Sequence, residues 1–385
     1  MTRVLVAMSG GVDSSVAAAL VLEQGYEVIG AWMRMHDVAD FASPHTKACC
    51  SLDAAEDARR VAGQLGIPFT ILNMEREYAE RVLDPFLAEY QAGRTPSPCV
   101  DCNTYVKFGA LLARAVRTLG CDAIATGHYA RIEALEEIAA PGGRRYRLLR
   151  GRDPSKDQTY FLYALRQEQL ARTLFPLGEL TKAEVRDLAT ARGLVTADKA
   201  ESQELCFVPG GDYREVLRER AGWHETPGPL LDVDGALLGE HRGVAAYTVG
   251  QRKGLGVAVG ERRYVARIDP DTNLVQLGRR DDLLRRSFTV GALSFIAGRP
   301  PGDGAFEESV RIRHGAAAVP CLVRQVDARG LGGADGRTGA ANGRTVTTDG
   351  WTVTTDTPVW APAPGQAAVF YAGDEVIGGG RIAIG

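Results

Sequence analysis

The sequence has little of what marks membrane proteins, disulfide-rich secreted proteins or strongly basic nucleic-acid binders. Its apolar runs are too short to cross a bilayer, and no secretory leader precedes the first predicted strand, which begins at Val4. With 7 cysteines among 385 residues, a disulfide scaffold is excluded. Lys and Arg number 45 against 48 Asp and Glu, so the net charge of −3 gives no global basic field. We therefore expect a cytoplasmic protein of about two or three domains with no membrane partner.

The clearest motif lacks the lysine of the common phosphate-binding loop. Ser9–Ser15 reads Ser-Gly-Gly-Val-Asp-Ser-Ser between two apolar stretches, which predicts a buried strand, a glycine turn and a helix. Gly10 and Gly11 let the backbone approach a ligand closely, and the helix start adds N–H groups. The three serine hydroxyls are expected to be further donors. The pattern predicts a cradle for a nucleotide phosphate, and Asp13 suggests a bridging Mg²⁺.

Strand-like and helix-like segments alternate through the first third of the chain. Strands are predicted at 4–8, 27–33, 67–72 and 122–126, and helices at 16–22, 52–65, 75–92 (interrupted by Pro85) and 103–119. Such alternation is typical of a parallel sheet covered by helices, where ligands bind beyond the carboxyl ends of the strands. We therefore expect the loop at Ser9–Ser15, Met33, Gly127 and His128 to meet in one crevice.

The pattern changes further along the chain. A hairpin is predicted at 129–133 and 144–150, and a capping box at Thr181–Glu184 opens a helix that ends at Gly193. Beyond about Pro209 Gly and Pro become frequent, and helical periodicity fades after Arg220. From about Arg263 short alternating segments predict a small antiparallel barrel. The Gly-, Thr- and Asp-rich stretch at 328–357 is expected to be an elongated surface hairpin or partly disordered.

Two cysteines carry the chemical interest. Cys102 follows a proline-rich loop and lies near a predicted helix start, where the helix dipole lowers a thiol pKa and Lys107 and Arg94 would add positive charge. A structural or metal-binding pair with Cys99 is the alternative, although a four-cysteine zinc site needs a second C-x-x-C. Cys206 is ambiguous alone, but paired with Cys102 it becomes a candidate persulfide carrier that later closes a disulfide. The other four are interpreted as loop residues (Cys49, Cys50) or packing residues (Cys121, Cys321).

The motifs, taken together, resemble a known family. The loop at Ser9–Ser15 is similar to that of the N-type ATP pyrophosphatases, which cut ATP between its α- and β-phosphates and adenylate a substrate. Along nearly the whole chain the order of motifs resembles the bacterial tRNA-specific 2-thiouridylase family. The motifs are Val6–Ser15, Gly93–Pro96, Cys102-Asn103 with Lys107-Phe108, Ala125–Tyr129, Lys156–Gln158, Ser202–Phe207, Tyr247–Gly256, and Pro364–Gln366 with Val369–Tyr371.

The resemblance implies an architecture and an activity. An α/β ATP pyrophosphatase domain with a parallel sheet (adenine nucleotide alpha-hydrolase-like) is expected at 1–208, a small central tRNA-binding domain at 209–278 and an antiparallel β-barrel at 279–385. ATP with Mg²⁺ would adenylate the C2 oxygen of the wobble uridine U34 of a tRNA, and sulfur from a cysteine persulfide would replace that oxygen. The uridine would have to leave the anticodon stack. A relay protein or a cysteine desulfurase would deliver the sulfur.

The resemblance also implies residue roles. Cys102 resembles the nucleophile and Cys206 the persulfide carrier that forms a transient disulfide with it, and Asp13 would support catalysis. The implied ATP contacts are Ala7, Met8, Ser9, Gly10, Gly11, Val12, Asp13, Ser14, Met33 and Gly127. The implied tRNA contacts are Ser97, Pro98, Cys99, His128, Lys156, Asp157, Gln158, Arg313, His314 and Gln366.

The sequence departs from the family pattern at two positions, and two rival functions stay open at this point. Cys99 stands where some family members carry Asp, and with Cys102 and Cys206 it would give three thiolates, enough to hold a [4Fe–4S] cluster with one open iron. His314 stands where an aromatic residue is commoner. Another N-type pyrophosphatase, such as an amidotransferase synthetase or a tRNA lysidine synthetase, would not need the cysteine pair. A non-catalytic RNA-binding or sulfur-carrier protein would not need the Asp13 loop.

Local charge supports an RNA partner despite the acidic total. The segment from Arg242 to Arg286 contains ten Arg and Lys residues but only five Asp and Glu residues. The glycine loop that contains Gln251, Arg252 and Lys253 suits phosphate contacts. A solvated charged face is the alternative interpretation of the same composition.

Overall fold

The computed structural model describes residues 1–36, 52–137, 143–201, 205–208, 211–257, 259–326 and 350–384. Interpretations of Cys49 and Cys50, of Ser202–Glu204 and of most of the 328–357 stretch lie outside these residues. The chain forms two compact units. The first comprises Met1–Pro85, Pro98–Ala221 and Asp374–Val376, and the second comprises Phe86–Ser97, Gly222–Gly373 and Ile377–Gly385.

The first unit contains a five-stranded parallel sheet and a hairpin. Its strands are β1 (Arg3–Ala7), β2 (Glu27–Arg34), β3 (Phe69–Asn73), β4 (Ala123–Thr126), β5 (Ala130–Glu136), β6 (Arg144–Arg150) and β7 (Thr173–Leu174). Its helical segments are α1 (Val12–Glu23), α2 (Leu52–Leu65), α3 (Glu75–Tyr78), α4 (Asp84–Gln91, which continues into the second unit), α5 (Pro98–Asp101), α6 (Leu112–Leu119), α7 (Gln167–Leu170), α8 (Lys182–Ala191) and α9 (Tyr213–Ala221). The predicted alternation of strands and helices is confirmed.

The strand order of the parallel sheet places the predicted loop at a switch point. The order is β3-β2-β1-β4-β7, and β1 pairs in parallel with both β2 and β4. The chain therefore moves outward in one direction from β1 through β3 and then returns to the other side of β1. A crevice opens at the carboxyl end of such a strand, which is where α/β sheets bind ligands. Val4, Leu5 and Val6 are fully buried, so β1 is a central, apolar strand.

Local signals determine several helix ends. Gly25 (φ +85°) and Gly120 (φ +63°) follow α1 and α6 in left-handed conformations that terminate the helices. The predicted capping box of α8 is present, with the Thr181 side chain accepting from the backbone of Glu184 and the Glu184 side chain accepting from that of Thr181. The interruption predicted at Pro85 is wrong. A π-helical turn (Ala79–Leu83) joins α3 to α4, so the chain stays helical through Pro85. The shifted hydrogen bonds of this turn compensate for the backbone N–H that proline lacks.

The second unit contains two further sheets. Its strands are β8 (Gly228–Asp232), β9 (Leu237–His241), β10 (Tyr264–Asp269), β11 (Leu274–Gly278), β12 (Leu284–Phe295), β13 (Ala305–Arg311), β14 (Val319–Val326), β15 (Gly350–Trp360), β16 (Ala367–Ala372) and β17 (Glu375–Ile384, which begins in the first unit). The first four form a sheet in the order β10-β11-β8-β9. The alternating pattern predicted a barrel from about Arg263, but β10 and β11 belong to this separate sheet because they pair with each other and β11 also pairs with β8.

The remaining strands form the predicted antiparallel barrel. They follow the order β12-β15-β14-β13-β16-β17, and pairing of β12 with β17 closes the sheet. Large side chains fill the interior, among them Phe288, Phe306, Trp351 and Phe370. Closure leaves no free edge among these strands, which removes the liability of an exposed edge strand. Within the described part of the chain, no helix has both the length and the apolar character needed to cross a membrane.

Candidate active site

The loop after β1 is held by its own serines. The Ser9 N–H donates to Ser14 Oγ (3.1 Å), and the Ser14 and Ser15 hydroxyls both donate to the Gly11 carbonyl at 3.0 and 2.9 Å. These two hydroxyls, which the sequence predicts as donors to a ligand, thus have an acceptor within the loop itself in this arrangement. The backbone N–H groups at the start of α1 are the donors that a helix N-terminus offers to an anion.

Two glycines make close backbone approaches around this loop. Gly10 has φ +71°, and a Cβ there would collide with the carbonyl oxygen of Ala54 in α2. Gly127 directly follows β4, and a Cβ there would lie 2.8 Å from the carbonyl carbon of Asp13 and 2.9 Å from the nitrogen of Ser14. The end of β4 therefore packs against the loop. Met33, the next-to-last residue of β2, lies at the same edge of the sheet.

A lysine from a distant helix neutralises Asp13. The Lys182 Nζ lies 2.7 and 2.9 Å from the two carboxylate oxygens, and the Tyr129 hydroxyl donates to the same carboxylate at 2.8 Å. Burial and the neighbouring Asp13 charge raise the pKa of Tyr129 far above its usual value, so its hydroxyl remains a donor. In the sequence, Lys182 is recognisable only as part of a capping box. The loop thus has a lysine in space although none follows it in sequence.

Two more lysines extend this charged network. Glu201 accepts from Lys156 (2.6 Å) and pairs with Lys182 (2.9 Å). Burial alone would raise the pKa of Glu201, but these two contacts outweigh it and lower the pKa to about 2. Lys199 donates to the Gly10 carbonyl at 2.9 Å and pairs with an acidic residue of α2 at 2.6 Å. Lys182 and Lys199 therefore contact the loop directly, and Lys156 joins the network through Glu201. Each of the three cations is held by at least one carboxylate.

The metal expectations can be tested against the side chains. Among the described residues, no group of three or more His, Cys, Asp or Glu side chains is arranged to hold a metal ion. The described thiols of Cys99, Cys102 and Cys206 are accordingly not arranged to hold an iron–sulfur cluster. Asp13 supplies one carboxylate, which matches a Mg²⁺ that arrives on nucleotide phosphates and keeps most of its ligands as phosphate and water.

Cys102 is a buried thiol and not an activated one. It follows α5 and opens a π-helical segment (Cys102–Leu111), and only 7% of its surface is exposed. Burial raises its pKa to about 12, and Lys107 lowers the pKa by less than burial raises it. The prediction of a lowered pKa is therefore wrong, because α5 already supplies the first helical turn and desolvation dominates. Arg94 is engaged with Glu89 at 2.8 Å.

The three candidate cysteines influence one another. Burial also raises the pKa of the half-buried Cys99 to about 11, with a contribution from Cys206. Cys206 contributes in the same direction to Cys102, so the thiols lie within electrostatic range of each other. Cys206 Sγ is 3.2 Å from the Tyr78 hydroxyl. Cys121 and Cys321 are buried, in agreement with their interpretation as packing residues.

Several residues assigned to tRNA contacts in the first unit also have internal partners. His128 Nδ1 lies 2.6 Å from the Thr126 hydroxyl, and its ring packs near Phe108 and Phe175. Burial lowers the pKa of His128 well below its usual value, so the ring is neutral. Asp157 accepts from the Thr159 hydroxyl at 2.7 Å. Gln158 accepts from the backbone of Tyr129, and Lys156 pairs with Glu201.

The assigned residues of the second unit support its loops. Gln366 Nε2 donates to the carbonyls of Thr95 (3.2 Å) and Pro96 (2.9 Å), immediately before the buried Ser97. Arg313 lies over the Trp360 ring at 4.9 Å and donates to the Ala361 carbonyl. The His314 carbonyl accepts from Arg311 at 2.8 Å. Arg313, His314 and Gln366 thus lie on hydrogen-bonded segments of the second unit.

Comparison with known proteins matches this architecture in three segments. The "tRNA methyl transferase HUP domain" family matches residues 2–210, the "tRNA methyl transferase PRC-barrel domain" family matches 215–279, and the "Aminomethyltransferase beta-barrel domain" family matches 340–382. A tRNA-specific 2-thiouridylase MnmA of Roseiflexus sp. is 47% identical over 100% of this chain and 100% of that protein. Proteins of the same name are 46% identical in Carboxydothermus hydrogenoformans (99% of this chain, 97% of that protein) and 48% identical in Geotalea uraniireducens (99% and 94%). The chain belongs to the tRNA-specific 2-thiouridylase family.

Proposed function

We propose that this protein catalyses the ATP-dependent 2-thiolation of the wobble uridine U34 of tRNA, giving 2-thiouridine. Membership of the 2-thiouridylase family supports the reaction class. The observation that carries the proposal to this chain is the combination, within one compact unit, of a phosphate-type loop at a sheet switch point and three cysteines whose thiols lie within electrostatic range of one another. An enzyme that only adenylates its substrate would need the loop and not the thiols.

ATP binds at the loop in this proposal. The backbone of the loop and the start of α1 hold the phosphates, and Lys182 and a Mg²⁺ carried by ATP balance their charge. Asp13 positions Lys182 and would be the carboxylate that holds the Mg²⁺. Attack by the uracil C2 oxygen on the α-phosphate releases pyrophosphate, and AMP then becomes the leaving group. The proposed ATP contacts are Ala7, Met8, Ser9, Gly10, Gly11, Val12, Asp13, Ser14, Met33 and Gly127.

Sulfur is carried by the cysteines. Cys206 holds a persulfide, whose outer sulfur replaces the adenylated oxygen at C2, either directly or after release as sulfide. Cys102 attacks the inner sulfur, and the S–S bond of the persulfide breaks while a Cys102–Cys206 disulfide forms. The outer sulfur keeps the electron pair and becomes the 2-thio group. An external thiol reduces the disulfide and resets the enzyme.

The partners follow from this reaction. The sulfur comes from a protein donor, either a relay protein or a cysteine desulfurase, in the cytoplasm. The proposed tRNA contacts are Ser97, Pro98, Cys99, His128, Lys156, Asp157, Gln158, Arg313, His314 and Gln366.

The proposed domain limits are 1–208, 209–278 and 279–385. Cys99 has no acid or base role in the proposed reaction.

Mass spectrometry of tRNA tests the proposal. Unmodified tRNA incubated with the protein, ATP, Mg²⁺ and sulfide or a persulfide donor should gain, at U34, the mass difference of one oxygen replaced by one sulfur. Cys206→Ser should abolish thiolation from the persulfide donor and leave tRNA binding unchanged, whereas Cys321→Ser in the barrel should thiolate normally. Unmodified U34 with the wild-type protein, or full persulfide-dependent thiolation by Cys206→Ser, would contradict the proposal.

A further inference from the structure

Tyr78 joins the buried core to the sulfur of Cys206. The tyrosine is the last residue of α3, and only 1% of its surface is exposed. Its hydroxyl lies 3.2 Å from Cys206 Sγ, within hydrogen-bonding distance for a sulfur atom. A buried hydroxyl lowers stability unless it has a partner, so phenylalanine would fill this core position at lower cost if no polar contact were needed.

The same tyrosine also fixes the backbone beside the sulfur. Its ring meets the ring of Phe207 edge-on, with centroids 6.1 Å apart and an angle of 73°. Phe207 and Val208 are 2% and 3% exposed, so the residues that follow Cys206 are anchored in the core. One side chain therefore contacts both the reactive atom and the adjacent anchor, which limits the positions that the sulfur can occupy.

We propose that Tyr78 is a positioning residue for sulfur loading, in which its hydroxyl donates a hydrogen bond to the Cys206 sulfur and orients it toward an incoming persulfide. The proposal rests on the proposed function, because only a sulfur carrier needs this step. A thiolate has no proton to donate, so the tyrosine must be the donor once Cys206 is deprotonated. The contact then stabilises the nucleophilic form.

The transfer of sulfur from a donor persulfide to Cys206 requires no additional oxidant. The Cys206 thiolate attacks the outer sulfur of a persulfide R–S–SH, the S–S bond of that donor breaks, and R–S⁻ leaves with the electron pair. Cys206 then carries S–SH. Cys99 and Cys102, whose thiols lie within electrostatic range of Cys206, are unchanged by this step.

The test is the reactivity of Cys206 in Tyr78→Phe. The variant keeps the ring and its contact with Phe207 but removes the hydroxyl. Peptide-resolved alkylation with iodoacetamide should be about tenfold slower at Cys206 near neutral pH, with the midpoint of its pH profile about one unit higher. Loading by glutathione persulfide should slow by a similar factor. Tyr105→Phe is the matched control, since this tyrosine is 41% exposed and its ring faces Arg81.

The outcomes separate a positioning role from a structural one. Wild-type alkylation and loading rates at Cys206 in Tyr78→Phe would overturn the proposal. If Cys102 also becomes more reactive in the same digest, the variant has loosened the core. A protein with 3-fluorotyrosine at position 78 then distinguishes a hydrogen bond to Cys206 from a general loss of packing. This residue keeps the ring and is a stronger donor, so it should move the Cys206 profile to lower pH, and an unchanged profile would overturn the proposal. None of these assays uses tRNA or ATP, so they are independent of whether the wild-type protein thiolates U34.

Discussion

Replacing Lys182 with methionine tests the central electrostatic feature of the nucleotide site. Lys182 Nζ lies 2.7 Å from Asp13 and 2.9 Å from Glu201, and its side chain is 12% exposed. Methionine preserves much of the stem but leaves two carboxylates without the cation between them. Removing one partner of a buried pair costs about 3–5 kcal/mol. Asp13 and Glu201 are 32% and 27% exposed, so we expect a smaller loss of about 1–3 kcal/mol in the free energy of unfolding.

The effect on catalysis should exceed the effect on folding. A loss of about 1–3 kcal/mol corresponds to a fall of about 3–10 °C in Tm for a unit of roughly 200 residues. Loss of a positioned cation at the phosphates should slow adenylation by about 10²–10³-fold. Calorimetry measures the first quantity, and AMP release in the presence of tRNA measures the second. Binding of tRNA to the variant should stay close to that of the wild-type protein.

A substitution at the far end of the same helix gives the control. Arg192 caps α8 and pairs with Glu23 at 2.7 Å, where Glu23 is 51% exposed. Arg192→Gln therefore removes an ion pair from α8 without touching the loop, and its cost should stay below about 1 kcal/mol. AMP release should be unchanged. Wild-type adenylation by Lys182→Met, or an equal loss in Arg192→Gln, would refute the assignment of Lys182 to the phosphates.

Two further predictions concern packing and thiol reactivity. Gly127→Ala should destabilise the protein by about 1–3 kcal/mol and impair ATP binding, because the new methyl group would lie 2.8 Å from the Asp13 backbone. Gly63→Ala in α2 is the control, since its methyl group would meet nothing within 4 Å, and it should be neutral or stabilising. Thermal unfolding and ATP titration of both variants check this, and equal behaviour would contradict it. Alkylation of Cys102 should accelerate about tenfold per pH unit and still be rising near pH 10, since its pKa of about 12 lies above that range, and a plateau near pH 9 would show that the thiol is not buried.

Structural features that depend only on neighbouring residues could be predicted from the sequence, because interactions between those neighbours determine them. The apolar run before the loop, the two glycines within it and the Thr181 capping box each need only neighbouring residues. The strands β8 and β9 were missed, because Gly and Pro within them weaken the alternating pattern, and pairing with β11 supplies what local propensity lacks. Tertiary pairing of this kind is invisible to a scan of one segment.

Burial was the quantity that local reasoning misjudged at the site. The start of a helix near Cys102 suggested an activated thiol, yet the pKa depends on how much protein surrounds the sulfur. Val106 and Phe108, in the π-helical segment that Cys102 opens, are fully buried. Desolvation of a thiolate at such a position outweighs both a helix dipole and one nearby lysine. The sequence indicates the nearby charges but not the local dielectric environment.

Lys182 was missed although the sequence did contain a signal for it. The side chains of Thr181 and Glu184 satisfy the start of α8 by themselves, so the lysine between them has no local role. A cation in the first turn opposes the helix dipole, which favours Asp or Glu there. A residue that conflicts with its own helix usually has a tertiary reason, and the 169 positions between Lys182 and Asp13 conceal that reason from any local pattern. The conflict identifies the residue, and only the fold identifies its partner.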